Sequence, residues 1–218
     1  MLDKDIYVLG IGHNTLNIVE LAIDCGYKIA GLIHYDSSRT GEIYNGFPII
    51  GSFEEMLLPE LVAGRRYALS MGDLSIRSYL FKEITKLKGE LPSLIHPSSY
   101  VSRYAQIGKG VQIQPHCVIE SETIIGDNTT VVVNTIVHHN VTISHDDFIA
   151  GNVVVGAYTH IGYFVQIGQG AVIVSGKVKN IGNNCILGAG SVLLENMEDN
   201  SVYVGNPARF LKRAASIM

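Results

Sequence analysis

Between residues 95 and 173 an aliphatic side chain stands at every sixth position: Ile95, Val101, Ile107, Ile113, Ile119, Ile125, Val131, Val137, Ile143, Ile149, Val155, Ile161, Ile167 and Ile173. Neither the 3.6-residue period of a helix nor the period of two of a strand generates such a series over this length. Two positions ahead of these stand mainly small or β-branched residues, from Ala105, Val111 and Cys117 through Thr123, Thr129 and Thr135 to Ala171. Both sets suit a narrow interior. Each six-residue unit therefore supplies one short strand and one corner, and three units close a triangular coil. Successive coils stack, with backbone bonds running between them. Glycines at 108, 126, 162, 168 and 182 follow the repeat aliphatic, where a side chain would crowd the corner. The phase slips by two residues across Ser175–Asn180 before Ile181, Leu187 and Leu193 resume the step, which marks a small loop.

The preceding segment has a different rhythm. Ile6–Leu9 is a compact apolar run ending in Gly10-Ile11-Gly12-His13, and Leu16, Val19, Ala22 and Ile23 then give a helical spacing that Gly26 stops. A second buried strand follows at Lys28–Ile33 and a third at Tyr67–Ser70. Ser52-Phe53-Glu54-Glu55 reads as a capped helix start, and Ile76–Lys88 as a further helix. Residues 1–90 are thus expected to form a small α/β Rossmann-like domain, 91–200 a parallel β-helix, and 201–218 a C-terminal cap. In that cap, Ser201–Ala208 is expected to make a strand and turn, and a short helix to carry Phe210 and Leu211 onto the stack. An open coil end exposes unpaired edge groups, so the first domain and the tail are expected to cover the two ends.

Composition narrows the function classes. With 218 residues and 47% hydrophobic content the chain fills one large core or two modest ones. Sixteen basic against twenty acidic residues give a net charge of -4, so no face is obliged to be strongly positive and nucleic acid is not expected as a partner. Cys25, Cys117 and Cys185 are odd in number and widely spaced, which points away from disulfides and sulfur-ligated zinc and towards a reducing cytoplasm. The start, Asp3-Lys4-Asp5 and a brief apolar run, is not a secretion signal, and no apolar run is long enough for a membrane span.

Gly10, Gly12 and His13 form a turn ahead of a helix, where backbone can approach a phosphate and unpaired N–H groups favour an anion. Thr15 breaks the dinucleotide fingerprint, and a purely structural tight turn is the competing reading. Asp36 lies just past the carboxyl end of the second strand, placed for a ribose or base, with a solvated surface aspartate as the alternative. His138, His139, His145 and His160 raise a metal site. The β-helical metal enzymes need a histidine pair five apart with a third two coils earlier. His139 and His145 are six apart and position 103 is Arg, so no metal is expected.

Asn134-Thr135-Ile136-Val137-His138-His139, the six-residue series, Ile181-Gly182, Leu187-Gly188-Ala189-Gly190-Ser191-Val192 and Val204-Gly205-Asn206-Pro207-Ala208-Arg209 together resemble sugar O- and N-acetyltransferases of the sialic-acid O-acetyltransferase and bacillosamine-pathway type. The similarity spans nearly the whole chain. It implies a left-handed β-helix, a homotrimer, acetyl-CoA in the cleft between neighbouring helices, and a nucleotide amino sugar held partly by the first domain. The catalytic histidine of that family falls on His139. Its usual acidic neighbour is Asn140 here, and the substrate-side histidine nine positions on is Phe148.

Acyl transfer needs an uncharged imidazole whose free nitrogen faces the attacking amine or hydroxyl. Asn140, Asp146 and Asp147 are each candidates for orienting His139, with His138 set as a substrate contact. The resemblance puts the oxyanion donor at the backbone of Ala157, beside Gly156 and one coil beyond His139. Backbone of Gly156, Ala157, Ala189 and Gly190 is expected along the coenzyme's arm, with Lys177, Lys179 or Arg209 at its phosphates. The expected reaction is acetyl transfer to the amino group of a nucleotide-linked amino sugar. The alternatives are O-acetylation of a free sugar such as sialic acid, and a non-catalytic hexapeptide-repeat binding protein, the latter suggested by Asn140 and Phe148.

Overall fold

The computed structural model describes residues 4–215, which divide into two compact units, one up to Leu94 and one from Ile95. The first unit runs β1 (Asp5–Leu9), α1 (Thr15–Asp24), β2 (Lys28–His34), β3 (Ile43–Tyr44), β4 (Phe47–Ser52), α2 (Phe53–Met56), α3 (Pro59–Val62), β5 (Arg66–Leu69) and α4 (Leu74–Lys86). Its sheet has the order β3-β4-β2-β1-β5 and is parallel except for the β3–β4 hairpin. Alternation along the strands explains the two faces. Ile6 and Val8 pack with Ile18, Val19, Leu21 and Ala22 of α1, whereas Leu9, Ile33 and Leu69 pack with Val62 and with Leu80 and Ile84 of α4. The result is a Rossmann-like α/β domain.

Local chemistry sets the element ends. Ser52 and Glu55 complete a reciprocal capping box at α2, each side chain meeting the other's backbone N–H. Asp73 accepts from Ser75 and Ile76 N–H, so α4 begins at Leu74, ahead of the expected Ile76. The hairpin was not assigned from sequence, although Asn45 and Gly46 between its strands both take the left-handed φ that a two-residue turn requires. Its first strand is only two residues long, and Pro48 is the second residue of the other.

The second unit is the left-handed parallel β-helix, with two-residue strands in three parallel sheets. Val118 pairs with Ile136 and Ile136 with Val154, each partner eighteen residues on. The repeat aliphatics fill the interior, Ile113 through Ile167 being essentially inaccessible. Corners turn on left-handed residues such as Glu122, Asn140 and Tyr158 on one edge and Asn128, Asp146 and Phe164 on the next. Gly126 shows why glycine is needed beside a corner: a Cβ there would fall on the Ser144 carbonyl oxygen of the next coil. After the slip His160 pairs with Asn180, twenty residues on, and Ile186 with Val202, sixteen on, so the extra two residues are absorbed within one coil and given back in the next.

Two findings depart from the pattern. Residues 209–213 form a strand, not the expected helix: Arg209–Arg213 lies antiparallel to Ser201–Val204, leaving Phe210 and Leu211 exposed. Phe210 packs edge-on against Tyr203 beneath the Arg213 guanidinium, contacts made from an extended segment. Residues 216–218 of the expected cap lie outside the described residues. Secondly, the inner column holds an acid. Asp147 is fully buried, its Oδ1 accepts the Val165 N–H at 2.6 Å, and its Oδ2 has no partner among the described residues. Burial pushes this carboxyl well above the ordinary range, with neighbouring Asp146 adding to the rise. Among the described residues no helix is long and apolar enough to cross a membrane.

Candidate active site

His139 occupies a corner. The ladder strand Ile136–Val137 delivers it to the turn, and the coil repeat stacks Ser121, His139, Ala157 and Ser175 along one edge of the prism. The side chains on either side of the imidazole are small, which leaves its flank open. Its Nδ1 lies 2.9 Å from Asn140 Oδ1, and its ring meets Tyr158 edge-on at 5.2 Å. The Asn140 amide nitrogen donates in turn to Glu122, one coil back. A neutral imidazole with Nδ1–H donating to an oxygen has its lone pair on Nε2, which is the form a general base needs.

Of the three residues weighed for orienting His139, only Asn140 touches it. Asp146 sits on the neighbouring edge, where its carboxylate faces His145 Nδ1 at 2.9 Å and accepts from Asn128. Asp147 points into the coil interior, because it occupies the inward column. His138 turns to Glu120 at 3.2 Å, and the same carboxylate accepts the His139 backbone N–H. Glu120, Glu122 and Tyr158 were missed from sequence. The first two were within reach, since stepping one coil back from His138 and Asn140 lands on them.

The backbone donors are already engaged. Ala157 N–H donates to Ser175 Oγ at 2.9 Å, and Gly156 N–H belongs to the ladder through the Ile173 carbonyl. Ala157 therefore becomes available to an oxyanion only when the exposed Ser175 side chain turns away, whereas Gly156 is held. Lys177 and Lys179 are exposed on the slipped loop just past this edge. Ala189 and Gly190 lie on another edge, stacked over Gln169. Arg209 is exposed, donates to the Ala208 carbonyl and stands 3.9 Å from Glu195. Within one chain the expected coenzyme contacts are thus divided between edges. Among the described residues no three His, Cys, Asp or Glu side chains are grouped as a metal ion needs.

In the first unit Gly10, Gly12 and His13 line a cleft of about 640 Å³ together with Tyr35, Phe53, Met71, Ile76 and Tyr79. The glycine turn is more self-contained than an anion loop. Gly12 N–H donates to Thr15 Oγ1 at 2.8 Å and Gly10 N–H to the Ile33 carbonyl, so Thr15, where the fingerprint breaks, takes up a donor a phosphate would use. Asp36 does not line the cleft. Its carboxylate accepts from the Ser38 N–H and hydroxyl, which holds it below the usual carboxylate range, while Tyr35 beside it forms part of the wall. The aromatic wall carries no apolar period and was not legible from sequence.

No family model matches the chain, and no curated protein matches it in sequence. Solved structures do. The acetyltransferase domain of PglB from Neisseria gonorrhoeae in complex with acetyl coenzyme A is 28% identical, with a TM-score of 0.85 over 96% of this chain and 100% of that one. PerB from Caulobacter crescentus in complex with CoA and GDP-perosamine is 23% identical, with a TM-score of 0.86 over 95% and 97%. WeeI from Acinetobacter baumannii is 22% identical, with a TM-score of 0.84 over 94% and 99%. The likeness runs through both units, so the chain shares the fold of these acetyltransferases over nearly its whole length.

Proposed function

We propose that this protein transfers an acetyl group from acetyl-coenzyme A to the amino group of a nucleotide-linked amino sugar, with His139 as the general base. The observation that carries this reading is the imidazole at an open corner, its Nδ1 committed to Asn140 and its Nε2 without a hydrogen-bond partner among the described residues. Support comes from PerB, solved with CoA and GDP-perosamine, and from the PglB domain, solved with acetyl coenzyme A. The coenzyme supplies the acetyl group as a thioester. His139 Nε2 takes the proton that the sugar amine releases as it attacks the thioester carbonyl; the C–S bond then breaks, and the same proton passes to the departing coenzyme A sulfur. Ala157 N–H, once Ser175 releases it, stands one coil along to meet the oxygen that gains charge. Lys177 is exposed and placed to meet phosphates, and Arg209 reaches them by leaving its exposed partner Glu195.

The first domain's aromatic cleft takes the nucleotide in this reading, with Gly10, Gly12 and His13 at its rim, and Asp36 contributes through the position of Tyr35 and not by direct contact. Assembly as a homotrimer is supported by the divided coenzyme set. Gly156 and Ala157 on one edge meet Ala189 and Gly190 on a common ligand where two copies face each other across a cleft. Three free cysteines, two of them buried, suit a cytoplasmic enzyme. Sedimentation equilibrium should return three times the chain mass, and a concentration-independent monomer would remove the intersubunit cleft.

Thiol release from acetyl-coenzyme A, followed against nucleotide-linked amino sugars, the same sugars without nucleotide, and free sialic acids, tests the acceptor. Turnover is expected only with the first group. Preference for a free sialic acid would reassign the reaction to O-acetylation, and thioester cleavage with none of them would favour a binding module.

A further inference from the structure

We infer that Glu122 is the positioning residue that makes His139 a base, acting through the amide of Asn140; the inference rests on His139 being the base. The argument is one of donors and acceptors. A carboxylate can only accept, so Glu122 draws the NH₂ of Asn140 towards itself, at 2.5 Å. The amide oxygen is thereby turned to His139 Nδ1, 2.9 Å away. An oxygen there requires the proton on Nδ1 and leaves Nε2 as acceptor. With the amide reversed, its NH₂ would demand a lone pair on Nδ1, the proton would move to Nε2, and the amide oxygen would face a carboxylate, acceptor against acceptor. Glu122 makes that second arrangement unfavourable without touching the imidazole.

The coil repeat holds the three groups in line. Residues 122 and 140 take the same left-handed corner conformation, φ 58° and 56°, in consecutive coils, and Asn140 N–H donates to the Ser121 carbonyl at 3.1 Å. Other polar groups near the ring are engaged elsewhere or lack the geometry. Glu120 is shared between His138 and the His139 backbone, and Tyr158 meets the ring edge-on. The next edge carries the same device with its parts exchanged. His145 Nδ1 faces the carboxylate of Asp146 directly, and the amide of Asn128 stands behind it. At His139 the carboxylate has stepped back one coil and an amide has taken its place. The missing acidic neighbour is thus present, relayed through a neutral group.

The test uses the full-length protein with E122Q, N140D and the E122Q/N140D pair, reading turnover and the ¹⁵N shifts of the His139 ring. Glu122 is exposed, so these changes do not disturb the core. Wild type should show one tautomer, protonated on Nδ1. E122Q should mix the tautomers, because glutamine offers either a donor or an acceptor to Asn140, and kcat should fall roughly tenfold, part of the ~10²–10⁴ that general-base catalysis supplies. N140D alone sets two carboxylates against each other. The double variant reproduces the arrangement at His145 and should recover both the single tautomer and most of the turnover. A single Nδ1–H tautomer and unchanged kcat in E122Q, in a protein that still needs His139, would overturn the inference. If H139A keeps its turnover the functional reading fails instead, and the ring shifts still decide whether Glu122 sets the tautomer.

Discussion

His139→Ala is expected to lower turnover by roughly 10²- to 10⁴-fold, the worth of a positioned general base, while leaving the fold intact. The side chain contributes little to the stack. Its ring touches Asn140 and the edge of Tyr158, and the backbone bonds at this corner, from His139 N–H to Glu120 and from Tyr158 N–H to the His139 carbonyl, survive the substitution. Thermal stability should therefore change by no more than about 0.5 kcal/mol, as for most half-exposed positions. The KM for acetyl-coenzyme A should hold, because the cleft and not the imidazole binds it. His138→Ala and His145→Ala are the controls. Each of those imidazoles faces a carboxylate of its own, Glu120 and Asp146, and neither meets Asn140. Near-normal turnover in His139→Ala with loss in His138→Ala would shift the catalytic position by one residue.

Asp147→Thr should stabilise the protein at neutral pH, with the gain shrinking as the medium becomes acidic. The sign follows from proton uptake. In the unfolded chain this carboxyl ionises near 3.8, whereas burial raises its pKa in the folded coil well above that value. Between the two the folded state keeps a proton that the unfolded state has released, so stability falls as pH rises. Below the unfolded value both forms are protonated and this loss disappears. Even when neutral the side chain leaves Oδ2 without a partner, a deficit of about 1–3 kcal/mol for a buried polar atom. Threonine suits the position because Thr135, in the same inward column, donates to the Ala150 carbonyl at 2.8 Å and accepts the Val153 N–H at 3.3 Å. Equal melting temperatures for wild type and variant at pH 7 would show that the acid is accommodated without cost.

The six-residue period made the β-helix legible because every repeat residue obeys one rule, inward or outward, that the backbone cannot evade. His139 came from the family resemblance and not from this rule, and the structure sets it at a corner, just past the strand Ile136–Val137. The rule did not expose Asp147, which interrupts the inward column between Val141 and Val153, nor did it separate Asp146 from the task of orienting His139, since residues adjacent in sequence lie on different surfaces here. Glu120 and Glu122 were hidden for a related reason: contact along the stack depends on sequence separation of one coil, whereas inspection of a motif looks at neighbours. In the first domain the glycine turn was legible but its hydrogen bonding was not. Whether Gly12 N–H meets a ligand or the hydroxyl of Thr15 depends on a side-chain rotamer that glycine spacing does not encode. The C-terminal strand was misread because Arg209–Arg213 is too short for either periodicity to declare itself.

The coil with two surplus residues bears on how such a chain can lengthen. The ladder His160–Asn180 and then Ile186–Val202 shows that a surplus entering at a corner is cancelled within the following turn. Whole coils, being interchangeable floors of the same prism, can be gained or lost outside the stretch from Glu122 to Tyr158 without parting the relay itself. Between Glu122 and Tyr158 they cannot. The relay Glu122–Asn140–His139 spans one floor and the ring contact with Tyr158 reaches the next, so an added floor would separate partners that touch only because nothing lies between them. For the relay, length variation is therefore forbidden across a segment only two storeys tall.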